Sequence, residues 1–95
     1  MKIKGIFSKP GDTVVTVTGA ISPGDEVEYI GEKGLSLVKA VSAVPVYHKI
    51  CIAGRKKGEV IKKYGERIGV ATKDIEVGEH VHSHNLASFE TGDRR

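Results

Sequence analysis

Ninety-five residues make one small domain with a modest core and marginal net stability. With 15 basic and 12 acidic residues the formal charge is +3, which suits a carboxylate substrate or an acidic partner; the short groups Arg55-Lys56-Lys57 and Lys62-Lys63 fall short of a nucleic-acid stripe. No secretory leader opens the chain and no apolar stretch is long enough to span a bilayer, so the expectation is a cytoplasmic protein that binds neither nucleic acid nor membrane.

The apolar content is carried by Val and Ile, with no Trp and only three Tyr and two Phe, which favours strands. Residues 1–4 and 90–95 read as loose ends around a core of residues 5–89. A signal of glycine, acid, any residue and aliphatic recurs as Gly11-Asp12-Thr13-Val14, Gly24-Asp25-Glu26-Val27, Gly58-Glu59-Val60-Ile61 and Gly78-Glu79-His80-Val81. Glycine permits the positive φ of a tight turn, and the β-branched residue then enters a strand. Pro10 and Pro23 precede the first two glycines, as in type II turns. The spacings are irregular, so this is not a solenoid.

Alternation predicts a strand over residues 13–17 and a hairpin of residues 26–30 and 35–40 joined through Gly31-Glu32-Lys33-Gly34. A single helical turn is allowed at 45–48 or at 73–76. Residues 49–53 form a short apolar strand. Cys51 within it excludes an intramolecular disulfide and reads as a small buried hydrophobe, since a catalytic thiol wants an electropositive, partly open setting. Residues 60–64 and 67–71 predict a second hairpin with Gly65-Glu66 in a type II′ turn at its tip. Residues 80–85 read as the last strand. The sum is a small all-β domain.

On such a strand His80, His82 and His84 point to one face, about 6.5–7 Å apart, while Val81 and Ser83 point to the other. Imidazole is the commonest metal ligand, and nitrogen donors suit Fe2+, Mn2+ or Zn2+. From spacing alone the strand reads equally as a metal or acid–base site and as a polar edge facing water, and any metal site made here alone is incomplete. Asn85 follows with an amide for hydrogen bonding. Tyr47-His48-Lys49, after Pro45, is a second candidate: Lys offers a point charge and His a donor to a carboxylate, or the segment is a solvated turn. Lys62-Lys63-Tyr64-Gly65 reads as a solvated hairpin strand with Tyr64 packed.

Taken together, Val60-Ile61-Lys62-Lys63-Tyr64-Gly65-Glu66-Arg67-Ile68-Gly69-Val70-Ala71, Asp74-Ile75, Gly78-Glu79 and Val81-His82-Ser83-His84-Asn85-Leu86 resemble the N-terminal SAF domain of altronate and galactarate dehydratases. The likeness runs from about residue 45 to 86; upstream only the pattern agrees. It implies a β-clip fold of short strands and hairpins with at most one or two single-turn helices. In that family the SAF domain precedes a large catalytic domain, within one polypeptide or as a separate small subunit, and related small subunits serve sulfolactate sulfo-lyases.

The resemblance therefore implies the small subunit of a sugar-acid dehydratase, a carbon–oxygen lyase inactive without its large subunit. It implies a divalent metal shared with that subunit, usually iron, with Mn2+ or Zn2+ as alternatives. His82 and His84 are then metal ligands or acid–base groups, His48 and Lys49 contact the acid's carboxylate, and Asn85 orients the substrate or a ligand. Sulfite instead of water as the leaving group, a non-catalytic carbohydrate-binding module and a self-associating assembly role stay open beside it. Tyr47 departs from the family pattern by replacing the glycine of Pro-x-Gly-His-Lys, and residues 52–55 by replacing an Arg-Asp-Ile segment; position 80 varies within the family, which ranks His80 below His82 and His84.

Overall fold

The structure, a computed structural model, describes residues 2–89; Met1 and residues 90–95, part of the expected loose ends, lie outside the described residues. Nine strands follow one another: β1 (Lys2–Ile6), β2 (Val14–Val17), β3 (Glu26–Gly31), β4 (Gly34–Lys39), β5 (Lys49–Cys51), β6 (Val60–Lys63), β7 (Glu66–Ala71), β8 (His80–Val81) and β9 (Leu86–Ser88). Six form a sheet in the order β4-β3-β1-β2-β5-β8, and three form a second, β6-β7-β9. The domain is all-β, and among the described residues no helix forms at 45–48 or at 73–76. Consequently none is long and apolar enough to cross a membrane.

The expected loose start is a correction. Lys2, Ile3 and Lys4 lie in β1, paired in parallel with Glu26, Val27 and Glu28 of β3. A parallel pair needs a long connection between its strands, so nothing local in the sequence announces it.

β2 is buried on both faces, because successive side chains of a strand point opposite ways. Val15 and Val17 enter a core with Val27, Val38, Val44 and Ile50. Val14 enters a second core with Cys51, Ile61, Ala71, Ile75 and Val81. β5 repeats the arrangement, Ile50 in the first core and Cys51 in the second. Burying each such aliphatic side chain stabilises the fold by about 1.5–3 kcal/mol. The β2–β5 pair thus ties both cores together.

The four glycine–acid signals are turns of one construction. Gly11, Gly24, Gly58 and Gly78 take φ of 90°, 93°, 91° and 95°. In each, the acid's N–H donates to the carbonyl three residues back: Asp12 to Lys9, Asp25 to Ser22, Glu59 to Lys56 and Glu79 to Glu76. Its carboxylate accepts the N–H of that same residue. A type II turn requires the positive φ, and the carboxylate satisfies a donor that the turn leaves unpaired.

The β6–β7 turn differs from expectation by one residue. Its tip is Tyr64-Gly65, with φ of 59° and 75°, which is type I′ and not type II′. The buried Asp12 carboxylate explains the choice, since it accepts from the N–H of Tyr64 at 2.9 Å and of Gly65 at 2.7 Å. Successive N–H groups in such a turn make a concavity for an anion.

Candidate functional site

The histidines do not share one strand. β8 ends at Val81, and residues 82–85 turn back, with the N–H of Asn85 and of Leu86 both donating to the His82 carbonyl. Asn85 breaks the strand. Its buried Oδ1 accepts from the His82 N–H at 3.0 Å and its Nδ2 donates to the His80 carbonyl at 2.8 Å. Backbone groups that an extended strand would offer to a neighbour are taken locally. The Asn85 amide thereby holds the backbone that carries His80 and His82.

Strand pairing supplies the missing partner. β5 and β8 run antiparallel with Lys49 opposite Val81 and Ile50 opposite His80. One step further, His48 meets His82, and their rings stack with centroids 4.4 Å apart. His48 Nδ1 lies 2.9 Å from His80 Nε2, so one of these nitrogens donates to the other. The His80 ring also stands 5.6 Å from that of His82 and 5.2 Å from that of His84. Ligand nitrogens of His48, His80 and His82 all lie within 4.8 Å of one another. The pair expected from the sequence was His82 with His84. The trio within ligand range replaces His84 by His48 and by His80, the residue ranked lowest.

Electrostatics favour the neutral forms of His80 and His82. Burial, then electrostatic repulsion from His84, His48, His82 and Lys49, push His80 down to about 4. Desolvation, then His48, Lys49 and His84, lower His82. Burial, then Lys63, lowers Lys49. Removing water disfavours the charged form of a base, and like charges add to that. At neutral pH His80 and His82 therefore offer imidazole lone pairs beside Lys49, and the trio holds no carboxylate.

The surroundings are open. His82 and His84 are exposed, and His48 and His80 half-buried. Two shallow grooves, of 390 Å³ beside Arg55 and Asp74 and of 450 Å³ beside Phe7 and Tyr29, contain none of these histidines. Cys51, by contrast, is buried; its thiol donates to the Ala53 carbonyl, and desolvation raises it to about 11. It is the inert hydrophobe the sequence suggests.

Fold and site define a class: a small all-β domain that presents imidazoles and a lysine on an open face. The altronate/galactarate dehydratase SAF domain matches residues 3–89, and the chain belongs to that family. It is 44% identical over 46 residues to the (2R)-sulfolactate sulfo-lyase subunit alpha of Paracoccus pantotrophus, covering 48% of this chain and 69% of that one. It is 50% identical over 38 residues to altronate dehydratase of Bacillus subtilis (strain 168), 40% of this chain and 8% of that enzyme. Against the subunit alpha of Chromohalobacter salexigens it is 41% identical over 44 residues, 46% of this chain and 47% of that one. The relatives are thus named as lyases or dehydratases, and two of them as subunits.

Proposed function

We propose that this chain is the small subunit of a cytoplasmic lyase that eliminates water or sulfite from a hydroxylated acid, and that its histidine face forms one wall of a site completed by a large catalytic subunit. The observation that carries this reading is the convergence of His48, His80 and His82 beside Lys49 on an open surface. A site so exposed cannot exclude water by itself, and elimination needs a dry, charge-stabilising environment.

The residues fit a divalent metal. Tetrahedral coordination at about 2.0–2.1 Å places ligand nitrogens roughly 3.3 Å apart, which small side-chain shifts reach from the present spacing. His48, His80 and His82 would hold it, and the bound cation supplies Lewis-acid stabilisation of enolate-like charge. The positive Lys49 beside the trio disfavours a bare dication, so acidic groups of the large subunit or of the substrate belong to the complete site.

The remaining steps fall to side chains. Lys49, beside His48, attracts the acid's carboxylate. A base removes the proton next to that carboxylate, and the electron pair expels the group on the neighbouring carbon. A leaving hydroxide takes a proton from a general acid and departs as water. Sulfite departs with the C–S bonding pair and needs no such proton. Two relatives named as sulfo-lyase subunits favour sulfite as the alternative leaving group.

The test is purification of the tagged chain from its native cell, followed by assays of the copurified complex on altronate, galactarate and (2R)-sulfolactate. The expected outcome is a large lyase subunit in the complex and turnover of one acid that falls at least about 10-fold with His82→Ala. A chain that purifies alone, or turnover indifferent to His82, would reject the proposal.

A further inference from the structure

Residues 45–48 form a fifth copy of the glycine–acid turn. The His48 N–H donates to the Pro45 carbonyl at 3.0 Å, and the third residue, Tyr47, has φ of 67°. The preceding residue, Val44, bridges Ile21, which itself precedes the turn ending at Asp25. Arg55 and Ile75 bridge one another in the same way ahead of the turns ending at Glu59 and Glu79. The frame is shared, and only this copy changes its chemistry.

Three changes go together. In the other turns the fourth side chain is a carboxylate that accepts the N–H of the first residue. Here the first residue is Pro45, which has no N–H to offer. The capping task is gone, and the fourth position carries His48, whose ring turns to His80 and His82. The third position carries Tyr47 in a left-handed conformation that glycine adopts without strain.

Tyr64, the other left-handed tyrosine, has visible compensation: Lys63 Nζ sits 4.8 Å over its ring. Tyr47 is 71% exposed, so burial does not offset its strain. A Cβ narrows the backbone freedom that glycine would allow at this position. The turn is also clamped, with Tyr47 N–H donating to the Val17 carbonyl at 2.8 Å and Val17 N–H to the His48 carbonyl at 2.9 Å. Backbone strain held at an exposed residue beside a candidate site points to a task at that site.

We infer that the 45–48 turn is a ligand-presenting variant of the capped turn, and that Tyr47 is a positioning residue whose constrained backbone aims His48 at His80 and His82. This rests on the histidine site proposed above. It is tested on the full chain by calorimetric titration with Co2+, by thermal melts, and by NMR contacts between the His48 and His82 rings without metal. Tyr47→Gly is expected to bind Co2+ about 10-fold more weakly, with Tm unchanged or raised by up to about 5 °C and the ring contacts weakened. Tyr47→Phe is expected to match the parent in all three.

A purely structural tyrosine would lower Tm and affinity together in Tyr47→Gly, and that result overturns the inference. So does a Tyr47→Phe chain that loses affinity, which would assign the role to the phenol. Parent chain that ignores Co2+ rejects the metal reading alone. The metal-free ring contacts then decide, and their persistence in Tyr47→Gly overturns the positioning role.

Discussion

Cys51 and His48 stand at the two ends of one short stretch of chain, and burial acts in the same sense on the Cys51 thiol and on the His80 ring that meets His48. It keeps the Cys51 thiol protonated to about pH 11 and keeps His80, beside His48, unprotonated to about pH 4. In each case desolvation disfavours the charged form. The consequences are opposite. A neutral thiol is unreactive, whereas a neutral imidazole is the form that binds a metal or accepts a proton. One end is closed and structural, the other open and lined by imidazoles, and Ile50 between them belongs to the first core.

Breaking that link has the largest expected effect. Ile50→Ala should cost about 2–5 kcal/mol in urea unfolding, a large share of the stability of so small a domain. Because Ile50 lies opposite His80 in the β5–β8 ladder, Co2+ binding should fall with it. Retained affinity in the destabilised protein would show that the histidine end does not depend on the core.

Asn85→Ala comes next. It removes two hydrogen bonds of a buried amide and leaves the His82 N–H and His80 carbonyl without these partners, which should cost about 2 kcal/mol. Weaker Co2+ binding is expected too, since the turn at 82–85 loosens. A melt unchanged from the parent would contradict the latch read from this geometry.

The closed end is checked by pH and alkylation. The unfolded thiol deprotonates near its ordinary 9.0, while the folded one holds its proton to about 11. The folded state therefore binds more protons in that window, and the contribution of Cys51 to stability is full below pH 9 and declines as pH rises toward 11. Cys51→Ala should flatten this part of the stability curve. Iodoacetamide at pH 8 should label Cys51 only as fast as the domain opens; rapid labelling of folded protein would mean an accessible thiolate.

The smallest effect on stability belongs to His82→Ala, because His82 is exposed. A change within about 0.5 kcal/mol is expected, together with a loss of Co2+ affinity of at least about 10-fold. Loss of both would make His82 a packing residue.

Much of the fold is legible in local pattern. Val and Ile alternation marks β2, β3, β4, β6 and β7, and the glycine–acid signals mark turns whose φ values only glycine adopts freely. The parallel β1–β3 pair is not legible, because its partners lie far apart in sequence and Lys2–Ile6 has too few apolar residues to signal a strand. The end of β8 is hidden for another reason: Asn85 competes for backbone groups that alternation alone assigns to a strand.

The chemistry of the site follows the same division. Sequence alone determined the residue types: imidazoles near residue 82, His48 and Lys49 after a proline, and a tyrosine at position 47. Which imidazoles meet was decided by tertiary structure, since His48 and His80 are 32 positions apart and are brought together by the β5–β8 register. Local propensity acts over a few neighbouring residues. A site assembled across a ladder depends on which strands pair and where each ends, and those are properties of the folded chain.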